Sequence, residues 1–166
     1  MGHNTSVNPM LDVALRLEVD DLYARYTACL DHGSFQDWPE FFTEECVYKL
    51  IPRENHDRGL PLATLAFESK RMLRDRVFGI SETLFHQPYY QRHIVSGVHI
   101  TGEEGGQILS EANYLVIRTK KNQPSDVFNA GRYIDRLVRA DGRLLFASRL
   151  CVFDSELIPN SIIYPI

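Results

Sequence analysis

Apolar residues near the N-terminus recur at helical spacing. The series is Leu15, Val19, Leu22, Tyr23, Tyr26 and Leu30. Steps of three and four residues place these side chains on one face, so the series predicts an amphipathic helix. Asn8 and Pro9 suit its N-cap and first position, and Gly33 suits its end. Ser34 then suits the cap of a second short helix that runs through Trp38 to Phe42.

In the middle of the chain the sequence predicts a strand, then a loop and then a helix. Cys46 to Ile51 predicts a strand, which Pro52 stops. Pro52 to Pro61 contains charged residues, Pro and Gly, and predicts a loop. Leu62 to Phe78 contains strong helix formers without Gly or Pro, and predicts a helix that Gly79 ends.

The second half of the chain has the pattern of four long strands. They are predicted at Arg92 to Thr101, Ile108 to Thr119, Val127 to Val138 and Gly142 to Phe153. Asp141-Gly142 is a signal for a two-residue hairpin, so these strands are predicted to pair antiparallel. Gly97 and Gly131 interrupt two strands, as bulges or bends do where a sheet curves.

This order of elements predicts an α+β fold in a single domain that spans residues 1–166. A strongly bent antiparallel sheet wrapped around the N-terminal helices would bury the apolar faces of both. The expected shape is a cone with a cavity between the helices and the inner face of the sheet. Such a cavity can host many different chemistries.

The segment from Ser155 to Ile166 carries almost no charge and contains several large apolar side chains. Pro159 and Pro165 argue against a continuous helix or a central strand there. Apolar tails are rarely left in water, so this one is predicted to dock, either on the chain's own sheet or on another protein. The second alternative predicts an interface formed by Ile162, Ile163, Tyr164 and Ile166.

Composition narrows the possible partners. The chain has 44% hydrophobic residues, as ordinary globular domains do, and a formal net charge of -4, which disfavours nucleic acid or an anionic membrane. No apolar run approaches the length of a membrane span. Cys29, Cys46 and Cys151 lie among apolar neighbours, so reduced, buried thiols in a cytoplasmic protein are expected.

The motifs of common enzyme classes are missing from the sequence. It contains no CxxC, HExxH, glycine-rich phosphate loop or GxSxG, and no third ligand accompanies His93 and His99, so no metal site is predicted. A polar pocket could be formed by Asp31, His32, His86, Tyr89, Tyr90, Arg92 and His93. An Asp beside a His in an apolar cavity could transfer protons. Equally, Asp31 could bond nearby backbone and His93 could be a half-buried strand residue.

Four segments carry a resemblance that spans nearly the whole chain. They are FQDWPEFFTEECVYKL (Phe35 to Leu50), HQPYYQRHIVSGVHI (His86 to Ile100), FNAGRYIDRLVRADGRL (Phe128 to Leu144) and LCVFDSELIPNSIIYPI (Leu150 to Ile166). Their order and the apolar tail resemble the small (beta) subunit of Rieske-type aromatic-ring-hydroxylating oxygenases. The segment from Glu54 to Arg76 makes the small subunits of salicylate 5-hydroxylases the nearest in appearance.

The resemblance implies an NTF2-like cone that works with a partner. In that family a large (alpha) subunit carries a Rieske [2Fe-2S] cluster and a mononuclear iron, and three large and three small subunits form a hexamer. Electrons come from NAD(P)H through a reductase and a ferredoxin. The resemblance further implies that this chain has no catalytic, cofactor-binding or metal-binding residues and stabilises the assembly, with a salicylate- or benzoate-like acid as substrate. Trp38, Tyr89, Tyr90 and Arg92 join the tail as predicted interface residues.

The same fold hosts cofactor-free enzymes, which gives an alternative. Ketosteroid isomerases, polyketide cyclases and scytalone dehydratases use a cavity Asp/His pair, and Asp31 and His93 look similar to the Asp and one His of the dehydratase pattern. The second His of that pattern has no counterpart, because Asn113 or Tyr114 stands in that region. The alternative is a stand-alone isomerase, cyclase or dehydratase with Asp31 and His93 as catalytic residues.

Overall fold

The computed structural model describes residues 9–155 and 161–166. Its elements are helix α1 (Pro9–Asp31), a 3-10 helix (Phe35–Phe41), strand β1 (Phe42–Pro52), helix α2 (Arg53–Asp57), strand β2 (Leu65–Phe67), helix α3 (Lys70–Phe78), a π-helical turn (Gly79–Thr83), and strands β3 (Tyr89–Glu104), β4 (Gln107–Lys120), β5 (Asp126–Ala140) and β6 (Arg143–Phe153). Two features of the sequence analysis, the Asn8 cap and Pro159, lie outside the described residues.

The six strands form one curved, unclosed sheet in the order β2-β1-β6-β5-β4-β3. β1 runs parallel to β6, and the other neighbouring pairs are antiparallel. Helix α1 packs across the inner face of the sheet against β3 and β6. The Asp141-Gly142 hairpin is confirmed, since both residues have the positive φ that a tight hairpin turn requires. The predicted α+β cone is therefore confirmed.

Helix α1 forms as its apolar spacing predicted, and its buried face builds the core. The side chains that it buries are Val19, Leu22, Tyr23, Tyr26, Cys29 and Leu30. Burial of one such aliphatic side chain stabilises the fold by about 1.5–3 kcal/mol before ordering costs. The helix ends before Gly33, whose φ of 73° is a left-handed conformation that glycine adopts without strain.

Trp38, in the 3-10 helix, faces inwards. It is fully buried, and its Nε1 donates to the Tyr26 hydroxyl over 3.2 Å. Its ring centroid lies 5.8 Å from that of Phe42 and 5.2 Å from that of Tyr48. The structure therefore corrects the placement of Trp38 at an interface, because the indole fills the chain's own core.

The predicted helix from Leu62 to Phe78 is wrong in its first half. Leu65–Phe67 forms β2 instead, which pairs antiparallel with β1. Phe67 stacks on Tyr48 with ring centroids 6.0 Å apart and planes inclined by 21°. Pairing and packing at a sheet edge thus outweigh the helix propensity of these three residues, since differences in propensity are small beside tertiary contacts.

Helix α3 consequently begins only at Lys70. Ser69 caps it, because its Oγ accepts from the Met72 N–H over 3.3 Å. Gly79 does not end the helical path as predicted. It keeps right-handed helical angles, with φ −55° and ψ −47°, and the chain continues into the π-helical turn.

Three smaller predictions also need correction. β1 begins at Phe42 rather than Cys46, because Phe42 already pairs with β6. The predicted loop from Pro52 to Pro61 contains helix α2, where Arg58 Nη1 donates to Glu54 Oε1 over 2.9 Å at the C-terminal end. Ser34 precedes the 3-10 helix but makes no side-chain capping bond.

The two strand glycines have different roles. At Gly97 the φ is 63° and the β3–β4 register shifts between Ser96 and His99, which confirms a bulge. Gly131 lies in continuous register with β4 and β6, so of the two alternatives expected there, a bulge or a bend, the structure excludes the bulge. A Cβ at Gly131 would lie 1.9 Å from the Val152 carbonyl oxygen, so this close approach of β5 and β6 requires glycine.

The three cysteines are unpaired and buried, as predicted. Burial raises the pKa of Cys29 and of Cys46 to about 11, and that of Cys151 to about 12. A thiol that stays protonated at neutral pH is a poor nucleophile and a poor metal ligand. These side chains therefore act as small apolar parts of the core.

A buried ion pair lies in the core. Arg149 of β6 and Asp135 of β5 are directly opposite each other in the sheet, and neither side chain is exposed. Arg149 Nε and Nη2 donate to the two carboxylate oxygens over 3.0 and 2.7 Å. The Tyr23 hydroxyl donates to the same carboxylate. The pair therefore connects α1 to two neighbouring strands.

Aromatic rings enclose the guanidinium of Arg149. Its Cζ lies 3.9, 4.0, 4.2 and 4.7 Å from the ring centroids of Tyr133, Phe146, Tyr26 and Tyr23. Cation–π attraction is stronger where the cation has lost its water. Burial alone would favour the neutral form, but the charge of Asp135 holds the pKa of Arg149 well above its ordinary value. The guanidinium is therefore charged in the folded protein, and burial raises the pKa of its partner, the Asp135 carboxyl, above the ordinary value.

The C-terminal tail packs into the chain's own core. Ile162, Tyr164 and Ile166 are buried, and Ile163 is half-buried. The ring of Tyr164 stacks on Phe35 with centroids 4.6 Å apart. Of the two docking alternatives, the structure favours the chain's own core. It corrects the interface assigned to Ile162, Tyr164 and Ile166, because these buried side chains cannot present a surface to a partner.

Buried side chains also satisfy the tail's backbone. The Ile166 carbonyl oxygen accepts from the Tyr26 and Tyr48 hydroxyls over 2.8 and 3.2 Å, and the Tyr48 hydroxyl accepts from the Ile166 N–H over 3.0 Å. Arg76 Nη2 donates to two further tail carbonyls over 2.8 Å each, and Gln91 Nε2 donates to another over 3.1 Å. This network specifies one position for the tail.

Asp135→Ala is expected to lower the free energy of unfolding by about 3–5 kcal/mol, because it leaves the Arg149 charge buried without a partner. The double variant Asp135→Leu with Arg149→Met removes both charges, so it should lose less than the sum of the two single variants. Urea denaturation followed by Trp38 fluorescence gives these values. Simple additivity of the two losses would contradict a coupled pair.

Ile166→Ala is expected to lower the free energy of unfolding of the chain by about 2–5 kcal/mol, because it leaves a cavity in the core. Val127→Ala is the control, since Val127 is 63% exposed and its truncation should change stability by less than about 0.5 kcal/mol. Thermal and urea melts compare the two variants. If Ile166→Ala left the free energy of unfolding unchanged, the tail would instead belong to an interface with a partner.

Candidate functional site

Asp31 and His93 meet where α1 ends. Asp31 is the last residue of the helix, and His93 lies on β3 with its side chain fully buried. His93 Nδ1 lies 2.6 Å from Asp31 Oδ1, and the His93 backbone N–H donates to both carboxylate oxygens over 3.1 Å. The sequence analysis paired these two residues, and the structure brings them together. The backbone that Asp31 bonds belongs to β3 rather than to its own helix.

Asp31 and His93, called the dyad below, join the end of helix α1 to strand β3. The carboxylate accepts bonds from the backbone and the ring of one residue, which fixes the end of α1 against the edge strand of the sheet. His93 Nε2 is buried without a hydrogen-bond partner. A shallow cavity of about 190 Å³ lies beside Asp31, but His93 does not line it. The imidazole therefore does not face the cavity beside Asp31.

The other residues of the predicted polar pocket are divided between three places. Three of them line the cavity beside Asp31, namely His32, Tyr89 and Tyr90. His86 instead lies with its Nε2 2.9 Å from the Tyr164 hydroxyl. Arg92 is exposed on the opposite face of β3 from His93. The seven residues thus do not form one catalytic centre.

The interior of the cone next to the dyad is filled with side chains. His93 lies opposite the fully buried Val116 on β4, where a second catalytic His has no counterpart. Tyr114 stacks on Tyr133 with ring centroids 4.5 Å apart, and its hydroxyl donates to Asn129 Oδ1 over 2.6 Å. Packed aromatic rings occupy the inner face, so the predicted cavity is replaced by core in this region.

The residues that the structure describes do not offer a metal site. Within 9–155 and 161–166, no group of three or more His, Cys, Asp or Glu side chains could hold a metal ion. The dyad supplies one carboxylate and one imidazole, and the buried cysteines favour the protonated thiol. This donor set does not fit a Rieske cluster or a mononuclear iron, which take cysteine, histidine and carboxylate ligands gathered at one place.

Sequence analysis missed the Arg149–Asp135 pair, although the sequence contains a signal for it. Asp135 lies between Tyr133 and Leu137 at strand spacing, so the charge falls on the apolar face of β5. Arg149 stands two residues before Cys151, on the buried face of β6. A charge of each sign on the inward face of two neighbouring strands indicates a buried pair.

The sequence also matches known proteins. Residues 12–150 match the family model of the SnoaL-like domain. Over 155 residues the chain is 35% identical to the small subunit of anthranilate 1,2-dioxygenase from Burkholderia cepacia, which covers 93% of this chain and 96% of that protein. The chain belongs to the small (beta) subunits of aromatic-ring-hydroxylating dioxygenases. As a small subunit it shares the SnoaL-like, NTF2-like fold.

Two further relatives agree with this membership. The small subunit is 27% identical over 150 residues to subunit beta 2 of the terminal oxygenase component of terephthalate 1,2-dioxygenase from a Comamonas species, with 90% of this chain and 97% of that protein covered. A crystal structure of a beta subunit assigned to an aromatic-ring-hydroxylating dioxygenase, from Novosphingobium aromaticivorans, is 35% identical. It superposes with a TM-score of 0.86 and covers 94% of this chain and 99% of that chain.

None of the helices that the structure describes combines the length and the apolar character that crossing a membrane requires. Helix α1 has 23 residues, but acidic and basic side chains lie along it. The small subunit therefore shows no helical membrane span within its described residues.

Proposed function

We propose that this small subunit is a non-catalytic component of a multicomponent aromatic-ring-hydroxylating oxygenase, in which it stabilises the assembly. The observation that carries the proposal is the 35% identity over nearly the full length to a small subunit of an aromatic-ring dioxygenase. The filled interior beside Asp31 and His93 supports the same proposal, because a region packed with core side chains has a structural task more readily than a catalytic one.

The proposed partner is a large (alpha) oxygenase subunit that carries a Rieske [2Fe-2S] cluster and a mononuclear iron. The relatives of this chain are named as small or beta subunits, which supports the existence of a larger partner. We infer an assembly of three large and three small subunits in the cytoplasm. A ferredoxin and an NAD(P)H-dependent reductase would supply the electrons to the large subunit.

The proposed substrate is an aromatic acid of the benzoate or salicylate type. The named relatives act on anthranilate and terephthalate, and both of these carry a carboxylate on a benzene ring. We place the chemistry of oxygen insertion on the large subunit, because residues 9–155 and 161–166 of this chain hold no donor set for the metals.

The assembly gives the first test of this function. Co-expression of the chain with a large oxygenase subunit of the same organism, carrying an affinity tag, should yield a complex whose mass corresponds to three copies of each subunit. Native mass spectrometry measures that mass. The chain alone should not hydroxylate benzoate or salicylate, whereas the complex with reductase and ferredoxin should hydroxylate at least one of them.

Asp31→Asn tests the alternative of a stand-alone isomerase, cyclase or dehydratase. The substitution keeps the shape of Asp31 but removes its charge, so the assembled oxygenase should keep its turnover within about tenfold if no proton transfer depends on the dyad. Steady-state rates of the purified complex, with its subunit ratio checked, measure this. A loss of several orders of magnitude in an intact complex would make Asp31 and His93 catalytic residues.

A further inference from the structure

The outer face of the sheet carries an apolar area around an arginine. We call it the outer patch and define it by Tyr90, Arg92, Ile94, Leu115, Ile117 and Val127. Tyr90, Val127 and Ile94 are 79%, 63% and 48% exposed, although they are large apolar side chains in regular strands. Scattered apolar residues are normal on a surface, but a contiguous group of them marks an interaction site.

Strand register shows that these side chains form one group. Ile94 lies directly opposite Leu115 and Arg92 lies directly opposite Ile117 in the β3–β4 pair. Ile117 lies directly opposite Val127 in the β4–β5 pair. Directly opposed residues of antiparallel strands point to the same side and have Cβ atoms about 5 Å apart. The outer patch therefore spans three neighbouring strands without a gap.

The charge of the outer patch is positive. Arg92 is exposed, and no ion pair or hydrogen bond within the described part of the chain involves its side chain. Next to it, a cleft of about 500 Å³ is lined by Gln87, Pro88, Tyr89, Tyr90, Thr119, Lys120 and Lys121. Tyr90 belongs to both the cleft and the outer patch. A chain with a net charge of -4 thus has a local cluster of cations beside apolar surface.

The outer patches of two copies of this chain are not suited to contact with each other. Two copies related by a twofold axis would bring Arg92 and the two lysines of one copy towards those of the other, and like charges would repel. Asp126 precedes Val127 in the chain, and its carboxylate already accepts from Arg118 over 2.7 Å. The complementary surface must therefore be apolar and must supply carboxylates of its own.

We propose that the outer patch and the adjoining cleft bind an apolar, acidic surface of the large oxygenase subunit. This inference rests on the proposed function and names the face of the small subunit that serves it. The partner would place apolar side chains on Ile94 and Val127 and a carboxylate beside Arg92. An aromatic or aliphatic side chain of the partner would enter the cleft beside Tyr90. Long-lived interfaces bury more than about 2,000 Å² in total, so this face forms the centre of a larger contact.

The experiment compares variants of the full chain in co-expression with the tagged large subunit. Val127→Glu, Ile94→Glu and Arg92→Glu should each reduce the amount of small subunit recovered per large subunit at least tenfold, because each places a carboxylate where the partner's acidic surface lies. Leu62→Glu is the matched control, since Leu62 is 73% exposed and lies outside the outer patch. Arg92→Lys is the conservative control and should keep most of the recovery. Thermal melts of the isolated variants should equal that of the wild type.

The other possible results distinguish failure of the interface from failure of the proposed function. If the three variants are recovered like the wild type, the outer patch is not the interface, while the proposed function stands. If they still bind the large subunit but sedimentation shows that the isolated chain has lost a self-association, a second copy covers the patch and the inference is overturned. If the wild type binds no large subunit of the organism, the proposed function fails, and this inference fails with it.

Discussion

The desolvated guanidinium of Arg149 constrains the rest of the structure. A charge inside a protein is costly unless a counter-charge and hydrogen bonds accompany it, and here Asp135 supplies both. Tyr23 adds a bond from α1, so the position of the helix over the sheet is linked to two strands. Since the four surrounding rings pack against the same group, a small shift of any element would expose a charge to an apolar surface or leave it unpaired.

The same arrangement fills the interior of the cone with side chains. In a cone with an open interior, the inner face of the sheet would line a substrate site. Here tyrosines, phenylalanines and the ion pair occupy that volume, and Asp31 and His93 are used to hold the end of α1 to the edge strand. Tyr90 and Arg92 are exposed on the outer surface, where the proposed interface lies. A framework made rigid in this way suits a subunit that has to keep its partners in fixed positions.

Local signals predicted the parts of the fold that depend on local interactions. The apolar spacing of α1 and the Asp141-Gly142 turn determine structure within a few residues, so both predictions were confirmed. Leu65–Phe67 follows a pairing with β1 that no local pattern reveals, and it was predicted as helix. The pairing of Asp31 with His93 was predicted through the pattern of dehydratases that share the fold. Its enclosure was not, because burial depends on how distant strands and the tail fill the space around it.

The hydrogen bond between the Tyr26 hydroxyl and the Ile166 carbonyl joins residues 140 positions apart. Bringing two such distant points together costs conformational entropy before the contact can stabilise the fold. Folding rates therefore fall as the average sequence separation of contacting residues grows. The parallel pairing of β1 with β6 adds to this burden, since about a hundred residues lie between the paired strands. The consequence is kinetic: this chain is expected to reach its native topology slowly for its size. Until the tail docks, apolar side chains stay exposed to neighbouring chains, so a chaperone or an already folded partner would matter most during synthesis.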